Sequence, residues 1–294
     1  MAEITAAMVK DLRERTDGGM MECKKALVEA QGDMLLAEDL IAKSGHRKAA
    51  KSASRTAAEG RIITALSKEC SVIVEVNCET DFVARDENFI QFCNTVADVA
   101  LKARVQDVEK LLALPFDANI TVEDARKNLI ARIGENVQIR RLQLLEAKDN
   151  QRFGNYIHHA RIGVVILLEG GTDELAKDLA MHVAAMKPQF ITPEDAPGSV
   201  VEKEKEILLE RANQSGKPLN IVEKMVAGQV QKYLAEICLT GQPFFKDPDQ
   251  TIATLLKTSN AVVREMVRFE VGEGIEIVKL NFQKEVSKAR GDNT

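Results

Sequence analysis

Two stretches of the sequence show the same succession of patterns, and this repeat limits the possible folds more than any other feature. RIITALS and SVIVEVN, within residues 61–77, alternate or run apolar over strand length, as do GNYIHHA and GVVILLEG within residues 154–170. Such paired runs predict β-hairpins. A Thr-Asp pair then follows in both places, at 80–81 and 172–173. We therefore predict an α+β fold with two related halves, each an antiparallel sheet with helices on one face.

Further helices and one late strand complete each half. In the first half, apolar residues at helical spacing predict a helix from Asp86 to Arg104 and another over VEDARKNLIARIGE, followed by a strand over NVQIRRLQLLEAK. In the second half, GGTDELAKDLAMHVAAM enters a helix and MVRFEVGEG supplies the matching late strand. The shared order of elements supports the repeat.

The beginning of the sequence has helical patterns without strands. TAAMVKDLRER opens on a threonine, MMECKKALVEAQ follows Gly18 and Gly19, and DMLLAEDLIAKSG runs from Asp33 to a predicted stop at Gly45. This predicts a small three-helix module. The next stretch, HRKAAKSASRTAAEGR, combines basic with small side chains and predicts a solvated linker.

An interruption within the second half predicts a projecting arm. VVEKEKEILLERANQ and IVEKMVAGQVQKYLAEI are two amphipathic helices joined by SGKP, which indicates a helical hairpin. Its apolar residues could close on each other or on another protein; they are Val201, Ile207, Leu208 and Ala212 on one side and Met225, Val226 and Val230 on the other. The predicted division is a module at 1–45, a basic linker at 46–61, core halves at 62–149 and at 150–192 with 237–275, the arm at 193–236 and a C-terminal helical module at 276–294.

Composition narrows the class of partner. The net charge of −5 and the pI of about 5.6 argue against a basic surface, so we expect no direct nucleic-acid binding. No apolar run approaches the ~18 residues of a membrane helix. The five cysteines are an odd number without a CxxC pair. With an opening segment that matches neither a secretion signal nor a transit peptide, they predict buried, reduced thiols and a cytoplasmic protein.

Motifs for chemistry are missing from the sequence. There is no GxxxxGK[ST], GxGxxG, HExxH, zinc-spaced Cys/His set or GxSxG, so we expect no cofactor, no metal and no catalytic residues. His158 and His159 are adjacent in a predicted strand and should point to opposite faces. Two alternatives remain open: an enzyme that uses the glycine turn at Gly170 and Gly171, and an RNA-binding adaptor that uses the basic linker.

Two sets of apolar residues could form a surface for a partner. Met20 and Met21 follow a glycine pair at the start of a helix, where flexible side chains suit an interface, although spacing alone favours core packing. Phe82 lies between a strand and a helix. It could fold back on the core as a hydrophobic staple beside a capping Thr80 or Asp81, which periodicity slightly favours, or it could be held out for a partner.

Several motifs, in one order along essentially the full length, resemble those of a known family, and this resemblance favours a partner surface for Phe82 and the methionines. They are VKDLRERTDGGMMECKKAL, NCETDFVARDENF, IGENVQIRR, ARIGV, MHVAAMKPQF, SGKP, LTGQPF and RFEVGEGIE. The chain closely resembles the bacterial elongation factor Ts family, the guanine-nucleotide exchange factors of elongation factor Tu. The resemblance implies a ubiquitin-associated-like N-terminal module, two related core halves, a helical arm and a C-terminal module. It also implies exchange without covalent chemistry, and in some members the arm could mediate self-association.

The family resemblance also implies which residues meet elongation factor Tu, in its GDP-bound and nucleotide-free forms. The loop of Thr80, Asp81, Phe82 and Val83 would act as a wedge beside the magnesium and phosphate site of the GTPase. Further contacts carried over from the family are Arg13, Met20, Met21, Lys24, Ile133, Gly134 and His158. His159 stands where the family motif has glycine, and Phe245 and Lys246 stand where close relatives have Val-Met.

Overall fold

The computed structural model describes residues 4–16, 18–213 and 219–276. Its first three helices are α1 (Ala6–Thr16), α2 (Met20–Glu29) and α3 (Met34–Ser52). They pack around Leu12 and Leu27, both fully buried. The predicted three-helix module is therefore present.

The first core half follows the predicted order. Its elements are β1 (Glu59–Leu66), β2 (Cys70–Cys78), α4 (Asp81–Ala84), α5 (Glu87–Ala103), α6 (Val108–Leu112), α7 (Val122–Ile133) and β3 (Gln138–Glu146). The three strands form an antiparallel sheet in the order β1-β2-β3. The predicted hairpin, helices and late strand are confirmed.

The second core half repeats this topology around the arm. Its elements are β4 (Gln151–His158), β5 (Ile162–Gly170), α8 (Asp173–Met186), α9 (Gly198–Asn213), α10 (Leu219–Ile237), β6 (Pro243–Phe244), β7 (Asp247–Thr251), α11 (Ile252–Thr258) and β8 (Ala261–Glu270). The antiparallel sheet has the order β4-β5-β8. The central strands β2 and β5 both show a register shift opposite the late strand, at Glu75/Val76 and at Leu167/Leu168. The predicted α+β fold with two related halves is confirmed.

The two sheets pack face to face, and helices cover their outer faces. Ile62 and Ile73 of the first sheet meet Val165 and Val267 of the second in one buried cluster. The contact is closest at Gly163, where an added Cβ would lie 2.3 Å from a methyl carbon of Ile62. Helices α5 and α7 cover the other face of the first sheet, and α8 and α11 that of the second. The core is thus built from two similar layers in contact.

The arm closes largely on itself. Leu208 and Ala212 of α9 are buried with Val222 and Val226 of α10, whereas Ile207 remains 36% exposed. The expectation that the apolar residues of the two arm helices close on each other is therefore met.

The prediction that a helix stops at Gly45 is wrong, because α3 continues to Ser52. Gly45 lies where α3 crosses α7: an added Cβ would be 3.2 Å from the Cβ of Ala131. The glycine therefore permits close packing of two helices and does not end one. The first part of the basic segment is helical, and β1 begins at Glu59. The helical module expected at 276–294 lies almost wholly outside the described residues, and the domain limits stay a prediction.

Candidate partner-binding surface

The turn that carries Phe82 is fixed at both ends of a short helix. Thr80 is extended, with φ −124° and ψ 156°, and its hydroxyl oxygen accepts a hydrogen bond from the N–H of Val83 at 3.4 Å. Val83 and Ala84 are buried, while Phe82 is 82% exposed. The hydrophobic staple is therefore wrong for Phe82, because its two successors take the core positions of the turn. Val83 anchors the turn and is not available as a contact surface.

A second cap separates this turn from the long helix that follows. The Asp86 carboxylate accepts hydrogen bonds from the N–H groups of Asn88 and Phe89, at 2.9 and 3.3 Å. Burial acts to raise the pKa of Asp86, but the hydrogen bonds from Asn88 and Phe89 outweigh it and lower that pKa. The predicted start of α5 at Asp86 is confirmed. Asp81, predicted to flank the wedge, is half-exposed and forms an ion pair with Arg85 at 3.0 Å.

Two glutamates that sequence reasoning did not single out hold the turn to a neighbouring loop. The Glu135 carboxylate accepts from the N–H groups of Glu79 and Thr80, at 3.1 and 3.0 Å, and from the Thr80 hydroxyl at 2.7 Å. In return, the Glu79 carboxylate accepts from the N–H of Asn136 at 2.5 Å. The two loops are therefore joined by reciprocal carboxylate-to-backbone hydrogen bonds, which are stronger than neutral ones.

The segment after α3 joins the same cluster. Arg55 pairs with the Glu79 carboxylate at 3.3 Å and donates to the carbonyl oxygen of Gly134 at 3.0 Å. The Asn136 side chain donates to the carbonyl oxygen of Arg55 at 2.7 Å. The sequence signals for this cluster were the NCETDFVARDENF and IGENVQIRR motifs, because polar residues in loops have no periodicity that would distinguish a support from a solvated side chain.

Ile133 and Gly134, predicted as contacts, lie beside this cluster. Gly134 ends α7 in the left-handed region, with φ 86°, and it is exposed with nothing within 4 Å of an added Cβ. Ile133 is half-buried. Since Glu135 follows directly, the structure brings these two residues and the Phe82 turn together.

One face of α2 is apolar and exposed. Met20 and Met21 are 62% and 77% exposed, and Val28 is 57% exposed. At 100° per residue these side chains share one side of the helix with the exposed Lys24. Core packing, which spacing favoured for the two methionines, is therefore wrong. Arg13 is also exposed, on α1.

His158 lies in a tight turn, and the prediction that it and His159 point to opposite faces is wrong. Strand β4 ends at His158, and His159 and Ala160 both have positive φ, 48° and 58°. The two imidazole rings consequently meet edge to face with their centroids 4.2 Å apart. The carbonyl oxygen of Ala160 accepts from the N–H of Ile62 at 2.8 Å. Since the start of β1 pairs with the end of β2, His158 lies at the same end of the sheets as Thr80.

Phe245 and Lys246 belong to a hairpin packed on α8. The N–H of Phe245 donates to Nδ1 of the buried His182 at 3.4 Å, and Nε2 of that imidazole donates to the Gln242 side-chain oxygen at 2.9 Å. Burial lowers the pKa of His182, which the Gln242 hydrogen bond opposes. Lys246 pairs with Asp178 at 2.7 Å. These two residues are therefore held to the second half and not to the Phe82 turn.

The part of the chain that the structure describes holds no group of three or more His, Cys, Asp and Glu side chains placed to bind a metal, and no helix long and apolar enough to cross a membrane. The five cysteines are free and buried, as predicted, and burial raises the pKa of the Cys78 thiol to about 12. At Gly170, φ is 71° and an added Cβ would lie 2.3 Å from the carbonyl oxygen of Asn260. This glycine pair is accounted for by a tight turn against the chain.

Comparison with known proteins shows the family to which the chain belongs. A family model described as Elongation factor TS matches residues 79–273, which begin at the Phe82 turn. Elongation factor Ts of Thioalkalivibrio sulfidiphilus is 54% identical over 98% of this chain and 99% of its own length. Those of Methylococcus capsulatus and Actinobacillus succinogenes are 53% and 51% identical, over 96% and 100% of this chain. The chain belongs to the elongation factor Ts family. The resemblance inferred from the motifs is thereby confirmed, and the N-terminal module of this chain is included in the relatives' matches.

Proposed function

We propose that this member of the elongation factor Ts family is a guanine-nucleotide exchange factor that acts on elongation factor Tu in the cytoplasm. The observation that carries the proposal is the exposed Phe82 ring on a turn whose other apolar residues are buried. An exposed aromatic side chain in a fixed turn has the properties of an interface hot spot, because little conformational freedom is lost when a partner covers it.

The other family contact residues support one extended binding surface. Gly134 adjoins the Phe82 turn, His158 lies at the same end of the sheets, and the methionine face of α2 belongs to the module that α3 joins to the core. Exposed apolar patches rimmed by polar residues are typical of protein interfaces. We propose Arg13, Met20, Met21, Lys24, Ile133, Gly134 and His158 as contacts around the wedge formed by Asp81 and Phe82.

The proposed mechanism requires no covalent chemistry. Magnesium bridges the phosphates of a bound nucleotide to a GTPase, so a ring that displaces the supporting residues weakens nucleotide binding. Coupling between two ligands is reciprocal, and the factor must therefore bind the GDP-loaded partner less tightly than the empty one. GTP then binds because it is available in the cell. In this mechanism Phe82 acts mechanically, and Thr80 and Val83 hold it in place.

Release of a fluorescent GDP analogue from elongation factor Tu, followed by stopped flow, tests this function. Phe82→Ala should lower the exchange efficiency by about 5- to 150-fold, which corresponds to about 1 to 3 kcal/mol for an interface hot spot. The melting temperature should not change, since the ring is exposed. Leu66→Ala is a matched control, because Leu66 is 54% exposed at the far end of β1. If the wild-type protein does not accelerate release, the proposed function is wrong.

A further inference from the structure

Helix α4 is too short to hold its own shape. It contains four residues, far fewer than the ~12 at which an isolated helix becomes marginally stable. The Phe82 ring adds no anchoring, because it is exposed. The direction of the ring therefore depends on whatever fixes the backbone from Glu79 to Ala84.

At the N-terminal end of α4, these contacts converge on the Glu135 carboxylate. One oxygen accepts from the two successive N–H groups of Glu79 and Thr80, and the other accepts from the Thr80 hydroxyl. That same hydroxyl oxygen accepts from the N–H of Val83 and so caps α4. Glu135 thus contacts both the backbone where the strand ends and the hydroxyl that starts the helix. The Glu79 carboxylate and the Cys78 thiol, which donates to the carbonyl oxygen of Thr80 at 3.2 Å, add further contacts at this end.

The C-terminal end of α4 has its own support. Arg61 donates to the carbonyl oxygen of Ala84 at 3.1 Å, and Val83 and Ala84 are buried. Loss of the Glu135 contacts would consequently loosen one end of the turn without unfolding it. Phe82 lies in the first half of the turn, next to the end that would be loosened.

We propose that Glu135 is a positioning residue for Phe82: its carboxylate holds the turn in the geometry that the exchange partner meets. This inference rests on the proposed exchange activity. Glu135 does not need to touch the partner. Its effect is to remove, before binding, the freedom that the turn would otherwise lose on binding.

A double-mutant cycle tests whether Glu135 acts through Phe82. Glu135→Ala should lower exchange efficiency by about 10-fold, the order expected when charge-assisted hydrogen bonds are lost. Glu135→Gln should lower it less, because the amide oxygen can still accept from both N–H groups. In the Phe82→Ala background, Glu135→Ala should cost less than about 2-fold, since a positioning effect has nothing left to position. An equal loss in both backgrounds, or no loss in either, would overturn the proposal.

Glu146→Ala provides the matched control. Glu146 is an exposed carboxylate that pairs with Arg104 at 3.6 Å, and it lies opposite Cys70, at the other end of β2 from the Phe82 turn. The substitution removes a similar group and should leave exchange within about 2-fold of wild type, as expected for surface changes outside the interface.

A spectroscopic measurement tests the positioning without the partner. The chain contains no tryptophan and two tyrosines, so Phe82→Trp introduces a single tryptophan, on the turn, whose emission can be separated from that of the tyrosines. Adding Glu135→Ala to that variant should lower the fluorescence anisotropy of the tryptophan, because the turn loses its contacts with the carboxylate and gains local motion. Unchanged anisotropy would overturn the positioning role even if exchange is found. Conversely, a wild-type protein that fails to release GDP, together with lowered anisotropy, would reject the exchange function and leave the role of Glu135 in the turn intact.

Discussion

The two core halves enter their helices through nearly the same turn, with one difference. TDFVA in the first half and TDELA in the second both begin with an extended threonine, at φ −124° and ψ 156° and at φ −124° and ψ 161°. Both threonine hydroxyls accept from the N–H three residues later, at 3.4 and 3.1 Å. The fourth and fifth residues are buried in both turns. The third is Phe82 in one and the exposed Glu174 in the other.

This difference separates the demands of folding from those of function. The second half shows that the geometry of the turn accepts a charged residue at the third position, as expected for an exposed site. Folding therefore gives no reason for an aromatic ring there. The first half also interrupts its helix, because Asp86 caps a new one, whereas α8 continues for 14 residues. Phe82 thus sits on a separate single turn.

The central strands differ in a similar way. Opposite the register shift, the first sheet has Glu75 where the second has Leu167. The Glu75 carboxylate is fully buried, and it accepts hydrogen bonds from Arg140, Arg141, the Asn77 side chain and the N–H of Gly272. These bonds tie the first sheet to the end of β8.

Glu75→Leu, which copies the second half, should have the largest effect on stability. It removes the carboxylate that the Arg140 and Arg141 guanidinium groups share and leaves them with the backbone carbonyl oxygens of Glu273 and Glu270. Removing one partner of a buried pair typically costs 3–5 kcal/mol, and we expect about 3 because these two side chains are 26% and 31% exposed. Urea unfolding measures the change. A loss below about 1 kcal/mol would mean that water satisfies both arginines and that the two central strands are interchangeable here.

Exchanging the third residues of the two turns should have the next largest effect. Phe82→Glu should lower exchange efficiency by at least the ~5-fold expected of a lost hot spot, because a carboxylate replaces the ring that we propose to act beside the nucleotide phosphates of the partner. Glu174→Phe should change neither exchange nor melting temperature. Both are measured by stopped-flow GDP release and thermal unfolding. If Glu174→Phe altered exchange as strongly, the functional asymmetry of the two turns would be refuted.

Lowering the pH should destabilise the second half of the core before the first. Of the three effects predicted here for the two halves, this is the smallest. Burial lowers the pKa of His182 on α8, whereas α5 carries no histidine. The unfolded chain then binds a proton near pH 6.5 that the folded chain does not bind, so stability is retained above that pH and falls below it. Hydrogen exchange of α8 and α5 amides at pH 7.5 and 5.5, expressed as protection factors so that the intrinsic pH dependence of exchange is removed, compares the halves. An equal loss of protection in both helices would show that His182 is not responsible.

The sequence predicted those features that have a period or a cap. Apolar alternation located the paired strands, and Asp86 located the start of α5. Periodicity failed at Phe82 and at the methionines of α2, because it records which residues are apolar and not whether a partner outside the chain covers them. It also failed at Gly45, where a glycine serves a helix crossing that depends on residues far away in the sequence.

The supports of the candidate site were the least predictable part. Glu79, Glu135 and Arg55 come from three separate segments, and only the fold brings them together. Glu75 did carry a signal, as a single acid within an apolar strand. Its arginine partners lie on another strand, so the sequence could not reveal the pairing in advance.

Helix α3 has a consequence for affinity. Its 19 residues span about 28 Å without a break, from the N-terminal module through the crossing with α7 at Gly45 to Ser52. A rigid connection of this kind makes the module and the core act as two linked binding surfaces, like the two donor groups of a bidentate ligand. Once either surface has docked on a partner, α3 presents the other at a high effective concentration, which a flexible tether of equal length would dilute.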